Sequence, residues 1–144
     1  MINVFFDGGC FPNPGGKATW GYIVKFRDGK EHYSYGVYGK GPGMTNNLAE
    51  YRAIIESMYF LEREGFVLED ILFRGDSALV INQMKGRYRI PKNDKPYADH
   101  AREAYGLRKK FTAAEFEWIP RESNTEADSL TEFANTAPDS APVG

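Results

Sequence analysis

Four acidic residues, Asp7, Glu50, Asp76 and Asp128, stand where this chain could do chemistry. Asp7 follows the apolar run Ile2–Phe6, and Asp76 follows Asp70–Arg74 after one glycine. Glu50 falls near the start of one helical segment and Asp128 in the first turn or two of another. Ligand sites in open α/β sheets form beyond the carboxyl ends of parallel strands, so Asp7 and Asp76 are candidate neighbours. Carboxylates held together oppose one another's ionisation. A hard divalent cation removes that cost; Mg²⁺ or Mn²⁺ takes such oxygen ligands and keeps waters for substrate and nucleophile. The acids lie tens of residues apart and form no local ligand loop, so folding must cluster them. Singly, each has a structural reading: a turn or cap for Asp7 and Asp76, and a partner of the helix dipole for Glu50 and Asp128.

The elements that must position these acids can be read in order. Ile2–Phe6 reads as a central strand, and Asp7-Gly8-Gly9 with Pro12-Asn13-Pro14-Gly15-Gly16 as a loop. Ala18–Arg27 and Glu31–Tyr38 read as strands joined by a two-residue Asp28-Gly29 turn. Thr45, Asn46 and Asn47 offer three helix caps; with Asn47 as the cap, Glu50 completes a capping-box-like pattern. Leu48, Tyr51, Ile55, Met58 and Leu61 then recur at helical spacing up to Gly65. Asp70–Arg74 is a short strand, Ser77–Lys85 a short helix, and 86–96 a basic turn. Tyr97–Phe111 is a helix, Glu115–Ile119 a strand and Asn124–Ala134 a last helix. Three strands, then helices alternating with two more, predict an α/β fold with a mixed sheet and helices on its faces.

With 144 residues the chain fits one domain, expected over 1–135, and 136–144 reads as a flexible tail. Cys10 is the single cysteine, so no intramolecular disulfide forms; a reducing, cytoplasmic setting is the expectation. No apolar run approaches the ~20 residues that span a bilayer, and no basic-then-apolar leader opens the chain. Net charge is -2, not the basic excess common in nucleic-acid binders. The distribution differs: 85–110 carries nine Lys or Arg against three Asp or Glu.

Asp7-Gly8-Gly9-Cys10 with Asn13-Pro14-Gly15, Thr45-Asn46-Asn47-Leu48-Ala49-Glu50, Gly75-Asp76-Ser77, and the run from Trp118 through Pro120-Arg121-Glu122-Ser123-Asn124 to Ala127-Asp128 resemble four motifs of type 1 ribonuclease H. They stand in family order, and the last is similar to the ending of archaeal and plant-like members. The resemblance implies the ribonuclease H-like fold: a five-stranded mixed sheet, an antiparallel three-strand meander plus two parallel strands, flanked by helices on both faces. It implies an endonuclease that cuts the RNA strand of RNA–DNA hybrids with two Mg²⁺ ions, Mn²⁺ substituting, and leaves 5′-phosphate and 3′-hydroxyl ends. Asp7 would bridge the ions, Asp128 would help hold the one activating water, and Glu50 and Asp76 the one near the leaving oxygen. Asn13, Asn46 and Asn47 would lie along the minor groove. Thr45 and Asn47 would meet a DNA-strand phosphate. Arg121 and Asn124 are candidate substrate contacts in the final loop. A monomer is expected.

Two positions depart from the family pattern. Arg121 stands in the loop where well-studied bacterial members carry a His, and Arg cannot act as a base near neutral pH. Ala78 stands where a Gln often contacts RNA. A long basic protrusion is absent, and Lys85, Arg87, Arg89, Lys92 and Lys95, with Tyr88, stand in its place, either as DNA contacts or as a solvated turn. Trp118 is expected in the core, and His32 and His100 as surface or structural residues. Other readings are a module that grips hybrid or double-stranded RNA without cutting, or a related nuclease acting on double-stranded RNA.

Overall fold

A computed structural model describes residues 1–92 and 94–137. Five strands, β1 (Ile2–Phe11), β2 (Lys17–Lys25), β3 (Glu31–Lys40), β4 (Asp70–Gly75) and β5 (Ala113–Trp118), form one sheet in the order β3-β2-β1-β4-β5. The β1–β2 and β2–β3 pairs are antiparallel, and β1–β4 and β4–β5 are parallel. The expected mixed sheet is therefore present, meander and parallel pair included. Helix α1 (Asn46–Arg63) follows the meander, α2 (Ala78–Met84) and α3 (Ala98–Arg108) lie between β4 and β5, and α4 (Thr125–Thr136), the last element among the described residues, follows a 3-10 turn, Arg121–Ser123.

Alternation along β1 sorts its residues between the two faces. Ile2, Val4 and Phe6 are buried under α1, in one core with Ile54, Met58 and Leu61 of that helix and Ile71 and Phe73 of β4. Gly8 shares that face. A Cβ on Gly8 would stand 2.2 Å from the Ala49 carbonyl carbon, so α1 lies directly on the strand there. Asp7 points to the opposite face, where α4 packs on β1 and β2. Both faces thus carry a helix beside Asp7.

Four local expectations change. β1 does not end at Phe6 but stays paired with β2 as far as Phe11–Lys17. Gly8 makes room for a helix rather than opening a loop. The β2–β3 connection is not a two-residue turn, because that geometry needs positive φ at both central positions. Among the described residues no non-glycine has positive φ; Gly29 alone does in this loop, at 88°, and Phe26 N–H to Lys30 O closes a longer loop. The cap of α1 is Thr45, whose hydroxyl accepts from Leu48 N–H at 3.1 Å. Glu50 therefore sits in the second turn of α1, facing inward, and no acid occupies the first turn. The tail expected from Thr136 begins inside α4, and 138–144 lies outside the described residues.

Candidate active site

Asp7 stands where β1 loses its parallel neighbour: the last β1–β4 partners are Phe5 and Arg74. The gap between the two strands opens beside Asp7. Gly8 lets the second turn of α1 lower Glu50 into that gap. Asp76, one residue past β4, reaches in from the third side. Oxygens of Asp7, Glu50 and Asp76 lie within 4.8 Å of one another. Asp128 approaches Asp7 from α4. Its own N–H donates to the Asn124 carbonyl at 3.0 Å, which fixes it in the first turn. It lies outside that close trio but lines the same cleft of about 520 Å³, with Asp7 and Glu50.

The electrostatics follow from burial and crowding. Asp7 and Glu50 are 5% and 7% exposed. Burial, then the charges of Asp76 and Asp128, push the Asp7 carboxyl up to about 7. Burial and the charges of Asp7 and Asp76 hold Glu50 well above the usual carboxylate range. Asp76 is also raised, mainly by burial, while Asn124 and the Arg121 guanidinium pull it back. One Glu50 oxygen, Oε2, is buried without a hydrogen-bond partner. Such an orphaned acceptor is costly unless something positive meets it. A donor set made only of carboxylate oxygens, one of them unsatisfied, fits a hard divalent cation.

The remaining sequence candidates divide into three groups. Asn13, Asn46 and Arg121 line the cleft with the acids. Asn46 Oδ1 accepts from Cys10 N–H at 2.8 Å, and Asn13 Oδ1 accepts from Asn46 N–H at 3.0 Å, which ties the β1–β2 loop to the start of α1. Thr45 caps that helix, and half-buried Asn47 follows in its first turn. Asn124 is different. It is 1% exposed, and its amide donates to Phe6 O at 2.9 Å and to Asp76 Oδ2 at 3.3 Å. That enclosed amide reaches Asp76, and Asn124 is not among the residues that line the cleft. Lys85, Arg87, Arg89 and Lys92 are exposed and lie outside the cleft lining. Their turn is anchored: buried Gln83 donates to Arg89 O at 3.1 Å and accepts from Tyr51 OH, and Arg102 donates to Pro91 O at 3.0 Å.

Some cleft residues escape a reading of sequence. Phe11, 60% exposed, lines the cleft, as do Thr131 and Glu132. The signals were present: Phe11 shares the face of Asp7 once β1 is extended, and Thr131 and Glu132 follow Asp128 at helical spacing. Trp118, expected in the core, is half exposed, and its indole N–H donates to Asp76 O at 3.1 Å. Neither histidine joins the site. His32 stacks on Phe60 with ring centroids 3.8 Å apart, and His100 meets the edge of Tyr38.

Comparison with known proteins accounts for this arrangement. A family model described as reverse transcriptase-like matches residues 5–134. The crystal structure of RNase H1 from the halophilic archaeon Halobacterium salinarum superposes with a TM-score of 0.80 at 30% identity, over 93% of this chain and 96% of that one. The chain belongs to the ribonuclease H1 family. A second family structure, LC11-RNase H1 in complex with an RNA/DNA hybrid, gives a TM-score of 0.81 at 29% identity over 93% of this chain and 96% of that one. Among curated relatives, a bifunctional protein of Mycobacterium tuberculosis is 36% identical over 137 residues, or 94% of this chain and 35% of that protein. Ribonuclease HI of Halobacterium salinarum is 33% identical over 148 residues, or 97% of this chain and 65% of that one. The chain thus spans about a third of the mycobacterial relative and just under two thirds of the haloarchaeal one.

Proposed function

We propose that this chain is a divalent-metal-dependent endonuclease that hydrolyses the RNA strand of RNA–DNA hybrids. The observation that carries the reading is the convergence of Asp7, Glu50 and Asp76 within 4.8 Å, with Asp128 alongside and a Glu50 oxygen left unpartnered. The hybrid bound by the related LC11-RNase H1 supports the choice of substrate.

Asp7, Glu50 and Asp76 would hold one Mg²⁺ or Mn²⁺, and Asp7 with Asp128 a second. Two such ions supply charge that stabilises both the entering and the departing oxygen of the phosphodiester, leaving 5′-phosphate and 3′-hydroxyl ends. The protein's own groups do the rest. Asn124 keeps the Asp76 carboxylate turned inward. Arg121, exposed at the rim, offers a fixed positive charge to a phosphate. Asn13 and Asn46 spend their amide oxygens on backbone N–H groups, so their NH₂ groups are left as donors in the cleft. Minor-groove edges carry acceptors at every base pair, and RNA adds 2′-hydroxyls, so such donors suit sequence-neutral binding. The anchored basic turn is placed for DNA-strand phosphates.

The test is cleavage of end-labelled RNA–DNA hybrid, double-stranded RNA and double-stranded DNA with Mg²⁺, Mn²⁺ or chelator. Metal-dependent loss of only the hybrid's RNA strand, with 5′-phosphate ends, is expected. Binding without cutting, or cutting that survives chelation, would refute the proposal.

A further inference from the structure

Asp76 is the one acid of the cluster that no regular element holds. Asp7 lies within β1, Glu50 within α1 and Asp128 within α4, whereas Asp76 falls in the bend between β4 and Ser77, the cap of α2. Two side chains restrain it. Asn124 donates to its carboxylate, and the Trp118 indole N–H donates to its carbonyl oxygen. Both belong to the single segment that runs from the end of β5 into α4. The backbone there donates Ile119 N–H to Gly75 O at 2.9 Å. Pro120, which has no N–H, follows as the chain leaves the sheet. The indole thus supplies a donor to the next carbonyl along β4.

A tryptophan half exposed at a sheet edge contributes less apolar burial than the same residue in the core. Its placement beside Asp76 is better explained by what its N–H does. A residue in a bend has no ladder or helix to fix its backbone dihedrals, and small rotations there swing the carboxylate. Metal ligation tolerates only about half an ångström of such error. We infer that Trp118 is a positioning residue for Asp76: its indole N–H fixes the Asp76 peptide so that the carboxylate meets those of Asp7 and Glu50 ready to bind a divalent cation. This rests on the reading of the cluster as a metal site.

The donor, not the ring, is the active element, so Trp118→Phe is the discriminating variant. The probe is Mn²⁺ alone, added to metal-stripped protein and followed by calorimetry and by the rise in Tm. Wild type, Trp118→Phe and Asp76→Asn are compared. Trp118→Phe is expected to keep the wild-type Tm in chelator, to bind Mn²⁺ about tenfold more weakly, the low end of what outer partners of metal ligands contribute, and to recover cleavage as Mn²⁺ is raised. A purely structural role would lower the metal-free Tm and leave metal affinity alone. If the Phe variant does not fold, β-(3-benzothienyl)alanine placed at 118 keeps the ring and removes only the N–H, with the same weakening expected. Wild-type Mn²⁺ affinity in the donorless protein overturns the role of Trp118 alone, provided Asp76→Asn binds more weakly. Absence of Mn²⁺ binding by the wild type overturns the metal site and this inference with it.

Discussion

Asp7 and Gly21 face each other across the β1–β2 ladder, and the missing side chain at Gly21 is what lets α4 reach Asp7. A Cβ at Gly21 would stand 2.6 Å from the Leu130 Cβ and 3.2 Å from the Ala127 carbonyl oxygen. Ala127 immediately precedes Asp128. The gap that serves packing therefore also sets how close Asp128 comes to Asp7.

Gly21→Ala should cost activity beyond its cost in stability. The new methyl meets a Cβ and a backbone oxygen, neither of which can swing away, so α4 must shift. Overpacking of this kind costs about 1–3 kcal/mol. The expected result is a folded protein with a modestly lower Tm and a kcat reduced by a larger factor than KM is changed. Wild-type kcat in a folded Gly21→Ala protein would show that the Asp7–Asp128 spacing does not matter.

Asp7→Asn should abolish cleavage and stabilise the metal-free protein at pH 8. The wild-type carboxyl is raised to about 7 by burial and by Asp76 and Asp128. Above that pH the folded state must carry a charge that it disfavours. Each tenfold change in proton binding is worth about 1.4 kcal/mol, so relief on the order of a few kcal/mol is available. Denaturation in chelator measures it, and a variant less stable than wild type at pH 8 would count against charge crowding.

The same crowding sets the pH dependence of stability. Between about pH 4 and 7 the folded chain keeps a proton on Asp7 that the unfolded chain has released, so stability falls as pH rises across that window. The raised Glu50 and Asp76 carboxyls act in the same direction. Saturating Mg²⁺ should flatten the slope, because a cation takes the place of the proton. Tm measured from pH 4.5 to 8.5 with and without Mg²⁺ checks this; stability that climbs with pH in chelator would refute it.

Arg121→Ala should move the acid limb of the activity profile to higher pH. The guanidinium holds the Asp76 carboxyl below where burial alone would put it. Its removal raises Asp76 further, so a higher pH is needed to ionise the ligand. KM for hybrid should also rise. An acid limb that stays in place would separate Arg121 from Asp76.

Neutralising Arg87, Arg89 and Lys92 together should raise KM for hybrid and flatten its salt dependence with little change in kcat. Every phosphate that the turn no longer neutralises lowers the salt slope by about one. The side chains are exposed and their turn is anchored through backbone oxygens of Arg89, Pro91 and Lys92, so the fold should survive. An unchanged slope would assign the turn to solvation.

From the sequence alone came the elements and the identity of the four acids. Hydrophobic periodicity follows from which faces must be buried, and that marked α1, both parallel strands and the meander. Residue type told which side chains can ligate a cation. Local pattern failed where the determining partner is distant. Asp7-Gly8-Gly9 reads as a turn because glycine breaks local order, yet Gly8 is there to admit α1, and β1 continues through it. Trp118 reads as core because of its size, and nothing local in the sequence shows that Trp118 and Asn124 both hydrogen-bond Asp76 across the fold. Nor does sequence show that Glu50 is buried with an unsatisfied oxygen or that Asp7 is held near 7, because both follow from the exclusion of water by packed elements. Tertiary structure decided the distances between charges, and in a desolvated site those distances determine what can bind.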